Sequence, residues 1–279
     1  MTTAKLYSID GAELKSLNLP EQFDEEVNQD LIKRAVQVVR QSSRQKYGAA
    51  ELAGKRSSAK LSRRRRDYKG GYGKGISRVP RKVMWKRGSQ FGFEGAFAPG
   101  MKGGRQAHPA KPEKDFSLKI NKKERRKAIR SAIAATAIQN FVSTRHKLPK
   151  SIPIIIENKF ESFEKTKQVK DLLLKLGFED ELNRVNSKKV RPGKGKNRNR
   201  KYSLKRGPLI VFSNPCLLEK ASRNLMGIES VSVEKLNAEL LAPGAVPGRL
   251  VLWSEAAIER LGKEKLFTNN QIKIKKEEK

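Results

Sequence analysis

Apolar positions recur through most of the chain at strand or helix spacing, and in one stretch they do not. Ala4 to Ile9 reads as a short strand, and Asp10-Gly11 is a two-residue hairpin signal that returns Glu13 to Leu17 onto it. Pro20 ends that unit. A helix is predicted from Asp24, with Asp24, Glu25 and Glu26 in its first turn, where the helix dipole favours acids. Val27, Leu31, Ala35 and Val38 fall on one face, with Ile32, Val36 and Val39 beside them, and the pattern fades near Ser42.

The helical period returns much later. Asn121, with Glu124 three residues on, resembles a capping box and opens a helix from Lys122 to Phe141. Ile129, Ile133, Ala137 and Phe141 make its core stripe. Lys122, Arg126 and Arg130 form a basic row at four-residue spacing, either a solvated face or a surface for a polyanion. Alternating units follow. Ile152 to Ile156 is a nearly continuous apolar run, the sign of a strand covered on both sides. A helix from Glu164 to Leu176 is closed by Gly177. Leu209 to Phe212 is a second buried strand; Asn214 as cap and Pro215 at the first helical position open a helix from Leu217 to Met226. Ile228 to Val233 and Leu250 to Trp253 are two more strands, and Ser254 caps a last helix ending near Leu261, before Gly262. Strand and helix in alternation predict an α/β fold: a single layered domain with a largely parallel sheet flanked by helices.

The aperiodic stretch runs from Lys55 to Pro112, where ten glycines scatter the apolar residues and no strand or helix period survives. It holds seventeen Lys or Arg against two acids, Asp67 and Glu94. Tyr68, Tyr72, Trp85, Phe91, Phe93 and Phe97 are interleaved with the cations. A segment that cannot build its own core is ordered by a partner or not at all, and this charge density asks for a polyanion. Cations for phosphates and aromatic planes for unstacked bases suit RNA, whereas a plain charged linker carries few aromatics. The boundaries predicted are one globular domain over residues 1–46 and 113–262, interrupted by a long non-globular basic loop at 47–112. A basic insertion at 183–206, with eleven Lys or Arg and no acid, and a tail at 263–279 that frays or lies on a partner complete the chain.

Composition extends the same picture. The net charge is +33 over 279 residues, so basic character is not confined to the loop, and nucleic acid is favoured over other partners. Cys216 is alone, which excludes an intramolecular disulfide and a cysteine zinc site, and its neighbours Leu217 and Leu218 make it a structural thiol. No apolar signal core and no membrane-length run is present, so an intracellular, soluble protein is expected. The residues after Ile9 lack the dinucleotide fingerprint, and neither GGYGKGIS nor GKGKNRNR has the Gly-Lys-Ser/Thr of a phosphate loop. His108 and His146 belong to no catalytic signature: His108, in GGRQAHPAK, suits stacking or hydrogen bonding to RNA, and His146 follows a helix end, where a cation is welcome. Neither a catalytic residue, a metal nor a cofactor is expected.

Three segments then carry a resemblance: GGRQAHPAKPEKD leading into the Asn121 helix, SRNLMGIESV at 222–231, and APGAVPGRLVLWSE at 242–255. In this order and spacing the chain resembles the large-subunit ribosomal protein L-four family in its archaeal, eukaryotic-like form, over nearly its whole length. The resemblance implies a non-enzymatic component of the large subunit whose globular domain sits on the outer part of that subunit. Its loop would thread through ribosomal RNA to the constriction of the nascent-peptide exit tunnel, with Tyr68 to Pro80 outermost. Large-subunit ribosomal RNA and neighbouring ribosomal proteins are the implied partners, without membrane or small-molecule substrate, and cytoplasmic ribosomes the location. The residues expected to bind RNA are Arg63, Arg64, Arg65, Arg66, Lys69, Lys74, Arg78, Arg81, Lys82, Lys86, Arg87, Lys102 and Arg105 on phosphates, and Tyr72 and Trp85 by stacking or wedging. His108, the row Lys122, Arg126 and Arg130, and Lys194, Lys196, Arg198 and Arg200 of the insertion complete the set. Two readings of other classes stay open at this level: an RNA-modifying enzyme on a Rossmann-like sheet, against which the missing glycine fingerprint argues, and a DNA-compacting protein, against which the loop's aromatics argue.

Overall fold

A computed structural model describes residues 3–67, 71–87, 90–148 and 151–270, with the backbone alone at Lys86 and Phe91. In chain order the elements are strands β1 (Thr3–Tyr7) and β2 (Glu13–Asn18), helix α1 (Gln29–Ser42), strands β3 (Arg81–Arg87) and β4 (Gln90–Gly95), and helices α2 (Lys122–Ala137) and α3 (Gln139–Ser143). Then come β5 (Ile154–Ile156), α4 (Thr166–Lys175), α5 (Glu179–Asn186), β6 (Lys189–Val190), β7 (Tyr202–Ser203), β8 (Leu209–Phe212), α6 (Leu218–Arg223), β9 (Glu229–Ser232), α7 (Ala238–Leu241), β10 (Val251–Ser254) and α8 (Glu255–Lys263). The chain divides into two units, Met1–Ser43 with Ser117–Lys279, and Arg44–Phe116.

The first unit is an α/β domain around one six-stranded sheet in the order β2-β1-β5-β10-β8-β9. β1 and β2 are antiparallel, joined through Gly11 at φ +83°, and every other neighbour pair is parallel. Register sorts the apolar runs into two faces. Leu6, Ile155, Trp253, Val211 and Val231 lie in one row across five strands. They pack with Ile32, Ala35 and Val36 of α1, Ile129 and Ile133 of α2, and Leu261 of α8. The next residues along, Ile154, Leu252 and Ile210, face the opposite way onto Val169, Leu172 and Leu173 of α4 and Leu218 of α6. Because successive strand side chains alternate, a strand covered on both faces must be apolar throughout. IPIII and LIVF have that composition for this reason. Each fully buried Ile, Leu or Val contributes about 1.5–3 kcal/mol.

Several local expectations give way to tertiary contacts. α1 starts at Gln29, not Asp24, because Asn28 is the cap and its Oδ1 accepts from the Leu31 N–H at 3.0 Å. The acids before it serve elsewhere: Glu25 receives Arg130 Nε at 2.7 Å, and the Glu26 carbonyl receives Ser131 Oγ at 2.9 Å. Asn121 makes no side-chain cap, since Glu124 is drawn to Arg34 at 3.4 Å. The helix expected over 122–141 breaks at Ile138, whose extended backbone (φ −96°, ψ 115°) separates α2 from α3. Asn214 does not cap α6; its Oδ1 accepts from Arg260 Nη1 at 2.8 Å, and the helix begins only at Leu218. Ser254 does cap α8, accepting from the Ala257 N–H at 3.1 Å, but Gly262 lies within that helix. The insertion is not structureless: its first residues belong to α5, and β6 pairs antiparallel with β7. The tail, up to Asn270, is docked. Leu266 is buried and the carbonyls of Leu266, Phe267 and Thr268 receive Gln22, Arg130 and Arg126; the expectation for Gln271 onward lies outside the described residues.

Neither apolar cluster draws a described residue from Arg44–Phe116. Excising Lys60 to Gly104 and bridging the gap with a short linker is therefore expected to preserve the circular dichroism and the cooperative melt of the first unit. A chain unfolded in water would show that the loop is needed for the core.

Candidate nucleic-acid interface

The Arg44–Phe116 unit is built from backbone pairing and aromatic contacts. At its base the Ala49 N–H donates to the Ala110 carbonyl at 3.0 Å. A Cβ on Gly48 would lie 2.2 Å from the Pro112 nitrogen, so the outgoing and returning chain segments touch through a residue with no side chain. Tyr47 and Phe116 stack at 5.8 Å with an 8° interplanar angle, and the Arg44 guanidinium lies 4.2 Å from the Phe116 ring centre. Tyr47, His108, Lys111, Lys114 and Phe116 line a cleft of about 710 Å³. His108 is thus placed beside two rings and two ammonium groups. The stack itself escaped the sequence reading, because Tyr47 and Phe116 sit at opposite ends of the segment and no local pattern links them.

Further out, the expected absence of strands is corrected: β3 and β4 form an antiparallel hairpin. The alternation that would have announced it is broken by a bulge between Val83 and Trp85, which puts Met84 out of register. Trp85 opposes Gly92, and its indole lies over that glycine so closely that a Cβ there would come within 2.1 Å of Nε1. Val83, Met84, Trp85 and Phe93 are exposed, with Met84 at 62% and Trp85 at 53%. Lys82 and Arg87, on the same strand, are exposed too. An apolar ribbon between cations has the chemistry that stacking on bases and neutralising phosphates would need.

The remaining expected residues fall as follows. Arg63, Arg64, Arg65 and Arg66 are exposed, and none makes a salt bridge to a described residue. Arg78 lies 5.0 Å from the Tyr72 ring centre and donates to its hydroxyl at 3.2 Å, so these two form one element. Arg81 donates to Ser77 Oγ at 3.1 Å and the Val79 carbonyl at 3.3 Å. Lys74 and Lys102 are exposed; Arg105 is half-buried and reaches the Gln106 carbonyl at 3.4 Å. Tyr68 and Lys69, and the Lys86 side chain, lie outside the described residues. On the first unit, Lys194, Lys196, Arg198 and Arg200 are exposed around a short 3-10 turn. The row on α2 separates: Lys122 is exposed, whereas Arg126 and Arg130 are half-buried, reaching the Thr268 carbonyl at 3.2 Å and the Phe267 carbonyl at 2.7 Å.

His146 is not the solvated cation expected at a helix end. It is 3% exposed, and its Nδ1 is 2.6 Å from Glu181 Oε1. Glu181 also receives two bonds from Arg184, at 2.7 and 2.8 Å, and the Lys147 N–H at 3.0 Å. Burial lowers the His146 pKa more than its carboxylate neighbour raises it, so the imidazole is neutral and its Nδ1–H donates. Burial also pushes Glu181 upward, but the bonds from Arg184, His146 and Lys147 win and hold it at about 2. Since that lies below the ordinary 4.5, the ionised Glu181 carboxylate stabilises the fold fully above pH 4.5 and ceases to as pH falls through about 2. Glu181→Gln is expected to cost about 3 kcal/mol at pH 7 and under half that at pH 3, read from urea unfolding at both values. An equal loss at both would mean the carboxylate charge is not what matters. Cys216, half-buried against the second cluster, has its thiol pKa raised by burial, the opposite of a reactive thiol.

At the carboxyl ends of the parallel strands, where α/β sheets commonly hold ligands, polar groups are committed to the fold. Glu161 accepts from the Ser213 N–H and Oγ at 2.7 Å each and from Ser254 Oγ at 2.5 Å, and Asn158 Oδ1 from the Ala256 N–H at 2.6 Å. No helix among the described residues is long and apolar enough to cross a membrane.

Against known proteins, residues 17–264 match the model of the Ribosomal protein L4/L1 family. The chain is 46% identical over 264 residues to a protein of Nanoarchaeum equitans named large ribosomal subunit protein uL4, covering 94% of this chain and 98% of the relative. Proteins of the same name from Methanothrix thermoacetophila and Archaeoglobus fulgidus are 42% and 40% identical, over 92% and 93% of this chain and 98% of each relative. The family match spans most of the chain and the relatives are covered almost end to end, so the chain belongs to the Ribosomal protein L4/L1 family.

Proposed function

We propose that this protein is a structural component of the large ribosomal subunit that binds ribosomal RNA, aids assembly of the subunit and extends its basic loop toward the nascent-peptide exit tunnel. The observation that carries the reading is the Arg44–Phe116 unit, which contributes to neither apolar cluster and exposes Arg63–Arg66, Lys82, Arg87 and Trp85. The names of the relatives supply the particle. The mechanism is neutralisation and clamping: cations release counterions from phosphates, Trp85 and the Tyr72–Arg78 element meet bases, and RNA in turn orders the loop. The first unit is the platform, with Lys122 and the insertion residues Lys194, Lys196, Arg198 and Arg200 adding contacts, while Arg126 and Arg130 hold the tail in place. Neighbouring large-subunit proteins are the other partners, on cytoplasmic ribosomes.

The test is sedimentation of cell extract through a sucrose gradient at moderate and then high salt, probing for this protein. Travel with the large subunit and resistance to stripping are expected. Protein left at the top of the gradient, or washed off like a loose cation, would sink the reading.

A further inference from the structure

A second cationic site lies wholly within the first unit, in a cleft of about 550 Å³. Arg145 follows α3, Arg184 comes from α5, Arg40 from the last turn of α1, and Lys205 and Arg206 from the end of the insertion. Two acids line the same walls, and both are already engaged. Glu229 is shared between Arg206 and the buried Arg249, whose Nη1 meets Oε2 at 2.7 Å. Glu239 holds Arg40 at 3.1 Å. Arg184 is committed to Glu181 and to the Arg206 carbonyl at 2.7 Å. Arg145 donates to the Pro243 carbonyl at 2.7 Å, and neither it nor Lys205 makes a salt bridge to a described residue. Beside Arg145 stands Gly244 at φ +80°, where even an added Cβ would stay 3.8 Å from Nη2.

Positive charge is held here against electrostatic resistance. Burial lowers the pKa of Arg145, with Arg184 adding to the effect. Burial, then Arg206 and Arg145, lower Arg249 to about 9, and its Nη2 finds no hydrogen-bond partner among the described residues. An anion in the cleft would relieve this crowding. The guanidinium fork selects an oxyanion, and Lys205 and Arg206 end a run from Lys188 with no acid in it, a track suited to a chain of phosphates.

We propose that this cleft binds a phosphate group, with Arg145 and Lys205 as its principal donors. The site goes beyond the loop-borne RNA contacts proposed above. Phosphate within an RNA backbone and inorganic phosphate share the chemistry, and the test separates them. Thermal midpoints of the full chain are measured with inorganic phosphate against chloride at matched ionic strength, and separately with a short oligouridylate, for wild type, Arg145→Gln and Lys205→Gln. Phosphate at about five times its dissociation constant is expected to raise the wild-type midpoint by about 2–4 °C, and both substitutions to abolish most of that shift. A substitution-sensitive shift with oligouridylate alone assigns the site to RNA backbone. Shifts in both variants equal to wild type, with either ligand, overturn the proposal. Lys205 is exposed, so Lys205→Gln keeps the fold and carries the test should Arg145→Gln fail to fold. Wild-type chain that binds no RNA would count against the proposed function, while the phosphate arm would still decide this site.

Discussion

With Arg63, Arg64, Arg65 and Arg66 all replaced by alanine, affinity for ribosomal RNA is expected to fall by roughly 10²–10³-fold at about 0.1 M salt. The slope of log affinity against log salt should flatten by about 3, since each lost phosphate contact removes about 0.7–0.9. The structure makes this the most productive place to strip charge. The four side chains are exposed and have no salt bridge to a described residue, so their removal costs the fold nothing. Arg130 is the internal comparison. Its charge is used by Glu25 at 2.7 Å, and Arg130→Ala should lower stability while leaving the salt slope almost unchanged. Filter binding across a salt series checks both. A slope that survives the fourfold substitution would mean that the arginine run faces solvent in the complex.

Arg249→Met is expected to destabilise the first unit by about 3–5 kcal/mol, lowering its thermal midpoint by roughly 10 °C. The Arg249 side chain is fully buried, and its guanidinium satisfies the Gly207 carbonyl at 2.9 Å, the Leu240 carbonyl at 2.9 Å and Glu229 at 2.7 Å. Methionine keeps much of the volume but leaves the buried Gly207 carbonyl and the half-buried Leu240 carbonyl unpaired, and an unmade buried hydrogen bond costs more than a made one gains. Adding Glu229→Gln should recover part of the loss if the unbalanced carboxylate is a large component. Purely additive effects in the double variant would place the cost in the carbonyls alone.

The parallel sheet was legible because its signal is composition, not contact. IPIII and LIVF carry the composition of strands covered twice, realised at Ile154–Ile156 and Leu209–Phe212, and Leu6, Ile155, Trp253 and Val211 lie in the row that such runs demand. The Ser254 cap was legible because it is settled within a few residues; Asp10-Gly11 marked the hairpin but not its length, since β1 ends at Tyr7 and the connection runs over Ser8–Ala12. The basic, aromatic-rich character of the Arg44–Phe116 unit was legible too, since charge and aromatic content survive any arrangement of the backbone.

What the sequence by itself determined is therefore the α/β platform and the basic, aromatic-rich segment whose described residues add nothing to its core. Only tertiary structure decided which cations stay exposed. Arg130 and Arg63 look alike in sequence, but one closes on Glu25 across more than a hundred residues and the other makes no salt bridge among the described residues. The same holds for the capping acids drawn off to distant arginines, for His146 kept neutral by burial while bonded to Glu181, and for the bulged β3–β4 hairpin carrying Trp85 over Gly92. The physical reason is common to all of them. An ionic or polar side chain takes the partner that burial and geometry bring to it, and that partner is fixed by the fold, whereas an apolar run needs only to leave water.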